Sequence, residues 1–339
     1  MRLSAVCRLK VAVLGASGAI GQPLALALVQ NRRVSELALY DEVPPRGIAI
    51  DLSHVPRKVK VIGCPAKCIQ KALDGADLVL MPAGMPRRPG MVREDLFNTN
   101  AVTVQELSVA VATYAPKALI GVISNPLNSM VPVVAETLRR AGVYDPRKVF
   151  GLVSLDLMRA RKMLGDFTGK DPETLHVPVI GGHSGQTIVP LFSLSGVALK
   201  REQAEYLTHR VRMGGDEVVR AKQGRGSSSL SMALAAAEWS DGVLRALDGE
   251  AGVVCCSIVE SPLFADRCRF FGSPVEVGRE GVTRVLPLPP LDEYEEEQLD
   301  RCLPDLERNI RKGLQFVEER AAAAAAAAAA AVPSVSDGA

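Results

Sequence analysis

What this 339-residue chain has little of narrows its function first. Its formal net charge is only +2, so it offers no electrostatic case for nucleic acid, which calls for a strongly basic surface. The longest apolar stretches are broken by Gly, Pro or charge well short of a membrane span, and the alanine run near the C-terminus is too weakly apolar to insert. These absences predict a soluble protein. Its 7 cysteines, an odd number, are scattered along the chain, which argues for free thiols in a reducing compartment. Cys64 and Cys68 could form half of a metal site, yet no second pair with His at ligand spacing accompanies them, and no metal is expected. The segment MRLSAVCRLK lacks any acidic residue and carries Arg2, Arg8 and Lys10. That composition suits either a very short organellar presequence or the lead-in to a strand.

What is present has the proportions of an ordinary globular protein, 47% hydrophobic and 23% charged, and enough length for two lobes. An apolar strand from Leu9 to Leu14 runs into GASGAIG and then into the helix-compatible PLALALVQN. ELALYD, ADLVLMPAG and ALIGVISNP read as further strands separated by helical spacers. Such alternation predicts right-handed βαβ units and a parallel sheet. After about Phe150 the pattern changes to longer helices mixed with short strands, among them VVCCSIVE and SPVEVG. Leu299, Leu303, Leu306, Ile310, Leu314 and Phe316 recur near helical spacing, so the stretch from Leu291 to Glu319 should be a helix packed on the body. The alanines at 321–331 favour extension of that helix as far as Pro333, but they have no amphipathic face, and a frayed or disordered tail without chemistry is expected. The final SDGA does not match the peroxisomal C-terminal address.

Two segments carry chemistry. The turn GASGAIG spaces Gly15, Gly18 and Gly21 between a strand and a helix, where glycine lets the backbone approach a pyrophosphate held at a helix N-terminus. A glycine-rich turn alone can be a plain tight turn. Asp41, 20 residues beyond Gly21 at the end of the second strand, strengthens the nucleotide reading. Its carboxylate accepts hydrogen bonds from ribose hydroxyls and repels a 2′-phosphate, so NAD is predicted over NADP. In the second segment His183 stands in VIGGHSG, with Asp156 and Arg159 upstream in SLDLMRA. An imidazole exchanges protons near neutral pH, a carboxylate orients it, and a guanidinium grips a substrate carboxylate. Each of these residues alone has a structural explanation, a buried histidine or a surface helix pair.

Taken in order, LYD, DLSHVP, GMPRRPGMVREDLFNTN, SNPLNS, SLDLMRA, VIGGHSG, SLSM and RNIRKGLQFV resemble the malate dehydrogenases of the mitochondrial and bacterial-type branch, from about Lys10 to about Glu319. The resemblance implies a Rossmann-type doubly wound α/β domain followed by an α+β substrate domain: residues 1–150 for NAD, 151–320 for substrate, and an alanine-rich tail at 321–339. It implies reversible NAD-dependent oxidation of (S)-malate to oxaloacetate, a homo-oligomer (a homodimer, with a tetramer as the alternative), a role in the tricarboxylic acid cycle, and a mitochondrial location with a cytoplasmic one as the alternative.

Carried over by position, the family's proton acceptor matches His183 and its orienting carboxylate Asp156. Its substrate arginines match Arg87, Arg93 and Arg159, and its substrate amide matches Asn125. Gly15, Ala16, Ser17, Gly18, Ala19, Ile20, Gly21, Asp41, Asn100, Ile123, Ser124, Asn125 and Met232 match cofactor contacts. A dicarboxylate needs two cationic anchors, with a third cation to polarise the ketone. On this reading Arg159 holds the carboxylate beside the reacting carbon, Arg87 the distal one, and Arg93 the ketone oxygen. Arg88 is read as structural. The Gly/Pro-bracketed loop around these arginines is suited to act as a lid. Two departures stand out: Ala19 replaces a common glycine, and Arg225 in KQGRGSSSLSM is bulkier than expected, which puts loop packing in question. The competing readings are a dehydrogenase for another 2-hydroxy acid and a catalytically silent NAD-binding paralogue.

Overall fold

The computed structural model describes residues 9–85 and 93–330, without the side chains of 93–95 and 329–330. The first half alternates strand and helix: β1 (Leu9–Leu14), α1 (Gly21–Val29), β2 (Val34–Asp41), α2 (Arg46–Ser53), β3 (Lys60–Pro65), α3 (Ile69–Leu73), β4 (Leu78–Met81), α4 (Arg93–Tyr114), β5 (Leu119–Val122), α5 (Leu127–Arg140) and β6 (Val149–Leu152). Its strands are parallel and ordered β3-β2-β1-β4-β5-β6. Every residue of β4, β5 and β6 is buried, as expected for strands covered on both faces. The strand order reverses between β1 and β4, which opens a crevice beyond their C-terminal ends, the place where doubly wound sheets bind nucleotides.

The second half contributes α6 (Ser154–Thr168), β7 (Val179–Gly181), β8 (Ile188–Pro190), α7 (Arg201–Ala221), α8 (Ser229–Leu247), β9 (Val253–Glu260), β10 (Phe270–Gly278), β11 (Gly281–Val285) and α9 (Glu293–Ala330). These strands extend the first sheet. β9 pairs antiparallel with β6, placing Gly151 opposite Ile258, and the path continues through β10 and β7 to β8. The buried Trp239 of α8 locks this junction by donating its indole N–H to Ser257 Oγ at 2.9 Å and meeting Phe150 edge-on. The two halves therefore share a continuous hydrogen-bonded frame.

Helix α9 buries Leu299, Leu303, Leu306, Ile310 and Val317 against the body, with Leu314 and Phe316 partly buried. Gly313 permits its close approach to α5, because a Cβ there would stand 2.3 Å from the carbonyl oxygen of Ser129. The expected helix over 291–319 is longer than predicted: the alanines continue it as far as Ala330. Alanine's intrinsic preference sustains the exposed turns without any packing partner, so the fraying expected from the missing apolar face is not seen there. The basic leader before Leu9 and residues 331–339 lie outside the described residues.

Among the described residues no helix is long and apolar enough to cross a membrane, and no group of His, Cys, Asp and Glu could hold a metal ion. The 6 described cysteines are all free thiols.

Candidate active site

The glycine turn follows β1 directly, and its conformation explains two of its glycines. Gly15 has φ +105°, and a Cβ on it would stand 2.6 Å from the Cα of Ala83 beyond β4. Gly21 opens α1 with its Cα so close to the turn that a Cβ would lie 2.2 Å from the Gly15 carbonyl. Glycine at both positions lets the backbone fold tightly at the crevice. Asp41 ends β2 beside the turn: its Oδ2 accepts from the Ser17 amide at 2.8 Å and its Oδ1 from the Val43 amide at 3.1 Å. Gly15, Ser17, Gly18 and Asp41 line one cleft of about 630 Å³ with Glu42, Ala83, Met85 and Glu106. No Lys or Arg is among the described residues lining it. A glycine cradle followed by carboxylates suits the pyrophosphate and ribose of NAD.

The remaining cofactor candidates fall around this cleft in different environments. Ala16 is fully buried, whereas Ala19 is exposed, so its methyl does not crowd the core of the turn. Ile20, Ile123 and Met232 belong to one apolar cluster. Ser124 is buried and its hydroxyl donates to the carbonyls of Met81 and Ala83, tying β5 to the segment after β4. Asn100 is a bridge: its Oδ1 accepts from the Met85 amide, and its Nδ2 donates to the Asn125 carbonyl at 2.7 Å. Asn125 itself is exposed and precedes a cis bond to Pro126.

The second cluster joins α6 to the β7–β8 hairpin. Asp156 lies in the first turn of α6, where the helix dipole favours a carboxylate, and its side chain is 0% exposed. Its Oδ2 stands 2.5 Å from His183 Nδ1, and its Oδ1 stands 3.5 Å from an Arg159 terminal nitrogen. His183 occupies the hairpin turn between β7 and β8 and remains 12% exposed. With Nδ1 engaged by a carboxylate, Nε2 is the nitrogen left for proton exchange. The structure thus brings His183, Asp156 and Arg159 together, as the sequence predicts. It also adds Ser228, which motif reading missed: Arg159 donates to Ser228 Oγ at 2.8 Å. Ser228 precedes α8, and its hydroxyl caps no α8 amide. The only prior signal was the nearby SLSM match.

Arg225 is exposed, and its guanidinium donates to Gln223 Oε1 at 2.7 Å, so its bulk stands outside the packed loop interior. Arg87 and Arg88 lie outside the described residues, and Arg93 is described only as the first backbone position of α4.

Comparison with known proteins places the chain in a family. The profile described as the lactate/malate dehydrogenase NAD binding domain matches residues 9–151, and that of the family's alpha/beta C-terminal domain matches 153–317. The chain belongs to the lactate/malate dehydrogenase family. It is therefore an oxidoreductase of that family with NAD as its cofactor. It is 49% identical over 311 residues to the mitochondrial malate dehydrogenase of Schizosaccharomyces pombe, covering 91% of each chain. It is 47% identical over 314 residues to the malate dehydrogenase of Vibrio parahaemolyticus, covering 91% of this chain and 100% of that one. The crystal structure of Cryptosporidium parvum malate dehydrogenase superposes with a TM-score of 0.79 at 26% identity, covering 91% of this chain and 99% of that one.

Cys302 of α9 lies beneath the His183 hairpin, its Sγ 3.4 Å from the Thr187 carbonyl oxygen. A Cβ on Gly181 would approach that sulfur to 2.7 Å. Burial pushes the Cys302 thiol up to about 12, so it stays protonated near neutral pH. Iodoacetamide applied to native protein at about pH 8 should leave Cys302 unmodified, with labelling seen by peptide mass spectrometry only after denaturation. Rapid labelling in the native state would show that the hairpin opens far more readily than this packing allows.

Proposed function

We propose that the chain is an NAD-dependent malate dehydrogenase that interconverts (S)-malate and oxaloacetate through a His183–Asp156 proton relay and three substrate-binding arginines. The observation that carries the reading is the His183 Nδ1 to Asp156 Oδ2 contact of 2.5 Å with Arg159 beside it. The relatives named as malate dehydrogenases support the choice of substrate. Residues 1–150 form the NAD unit and 151–320 the substrate unit, with 321–339 as tail.

In malate oxidation, His183 Nε2 takes the proton of the C2 hydroxyl. Asp156 stabilises the resulting imidazolium and keeps the neutral ring in the tautomer that presents Nε2 as acceptor. The chemistry supplied by bound NAD is acceptance of the C2 hydride in oxidation and its donation in reduction. Arg159 holds the C1 carboxylate as a planar pair, with Ser228 steadying one of its arms. Arg87 takes the distal carboxylate, and Arg93 polarises the ketone oxygen in the reverse direction. Asn125 contacts substrate and cofactor. Gly15 to Gly21 with Ile123, Ser124, Asn100 and Met232 hold the cofactor, and Asp41 reads the ribose and disfavours a 2′-phosphate.

The protein acts as a homodimer in this reading. Leu26 of α1, Ile50 of α2, and Leu230 and Leu234 of α8 are 47%, 50%, 71% and 53% exposed, a concentration of apolar surface on neighbouring helices that suits association. A mitochondrial location fits the S. pombe relative, while the Vibrio enzyme shows that the branch is not confined to that organelle.

His183→Asn should retain NADH binding, measured by fluorescence titration, while oxaloacetate reduction falls by about a hundredfold or more. Near-normal turnover would remove His183 from the relay. Arg87→Gln should reduce kcat/KM for oxaloacetate by about a hundredfold and change that for pyruvate little, because pyruvate has no distal carboxylate. Equal losses on the two substrates would contradict the role given to Arg87.

A further inference from the structure

We propose that Asn128 is a positioning residue for His183, holding the backbone of the β7–β8 turn so that the imidazole keeps its place against Asp156. The inference rests on the proton-carrying role proposed for His183. Asn128 sits in the first turn of α5 and is 1% exposed. Its Oδ1 accepts from the His183 backbone N–H at 2.7 Å. Its Nδ2 has Thr187 Oγ1 at 3.1 Å, Ser184 Oγ at 3.2 Å and Asn309 Oδ1 at 3.4 Å. One amide therefore grips the turn on both sides of the imidazole and meets α9 from behind.

The surrounding residues are shaped to this contact. A Cβ on Gly182 would stand 2.6 Å from Asn128 Oδ1, so glycine at that position lets the amide reach the turn. Thr187 Oγ1 donates to the Ser184 carbonyl and accepts from the Ser184 amide, closing the turn on itself. Behind Asn128, Ser129 Oγ donates to the Asn309 carbonyl at 2.7 Å, which anchors α5 to α9. The Asp156 contact holds the ring at Nδ1, but a ring attached to a drifting backbone still swings. Asn128 supplies the second point of attachment. Displacing a reacting group by about 1 Å can cost about a hundredfold in rate.

Asn125 lies just before α5, and its backbone carbonyl accepts from Asn100 Nδ2 at 2.7 Å. Asn125 and Asn128 thus tie the segment that opens α5 to Asn100 on one side and to the histidine turn on the other. The side-chain amide of Asn125 turns back on α5, its Oδ1 accepting from the Leu127 N–H at 3.3 Å.

The test compares Asn128→Leu, which keeps the volume and removes every hydrogen bond, with Asn128→Asp, which keeps the acceptor for the His183 N–H. The Leu variant should bind NADH within about twofold of the parent and lose about twentyfold or more in kcat. Its solvent deuterium isotope effect on kcat should rise as proton transfer becomes rate-limiting. The Asp variant should retain kcat within about threefold. A smaller folded fraction would lower kcat without moving the isotope effect or KM. A folded Leu variant with parental kcat, or with lowered kcat and an unchanged isotope effect, overturns the proposal. If the Leu variant fails to bind NADH, the Asp variant decides: retained kcat supports the acceptor role, and a loss beyond tenfold refutes it. Failure of the parent protein to reduce oxaloacetate, or full activity of His183→Asn, would instead refute the relay itself.

Discussion

A fully buried carboxylate is the constraint on which the rest of the site depends. Removing the Asp156 side chain from water costs several kcal/mol that its surroundings must offset. Three features offset the cost: the N-terminal turn of α6, the Arg159 guanidinium at 3.5 Å and the His183 ring at 2.5 Å. The arrangement works in both directions. Asp156 is tolerated because His183 and Arg159 are there, and both are held because Asp156 has so few other partners.

One continuous sheet carries both the nucleotide crevice and the elements that present this pair. The reversal of strand order between β1 and β4 creates the crevice, and Gly15 allows β1 and the segment after β4 to approach within backbone contact. On the other side, pairing of β9 with β6 carries the frame into the substrate half, where β7 and β8 present the His183 turn. Because α6 begins directly after β6, Asp156 and Arg159 project from the boundary of the two halves.

Much of this was legible in the sequence because it is local. Leu9 to Leu14, the glycine turn and Asp41 announce a strand, a nucleotide turn and the end of a second strand within one short stretch, and the structure places them so. Asp156 and Arg159, three apart on a helix, share a face by periodicity alone. The long-range features were not legible. Nothing in VVCCSIVE says that it pairs antiparallel with β6, since strand partners depend on the fold as a whole. Ser228 and Asn128 act through contacts 69 and 55 residues away in sequence, and neither residue type is distinctive by itself. The alanine helix shows the opposite limit, where intrinsic propensity acts without packing and a rule based on amphipathic faces underestimates it.

The most direct test of the central claim is the tautomer of His183, read from two-bond proton–nitrogen correlations in protein carrying ¹⁵N-labelled histidine, above the pH at which the ring is cationic. Donation to Asp156 requires the neutral ring to carry its proton on Nδ1, leaving Nε2 with the shift of an unprotonated nitrogen, and Asp156→Asn should erase that preference. A neutral His183 found protonated on Nε2, or unaltered by Asp156→Asn, would contradict the account.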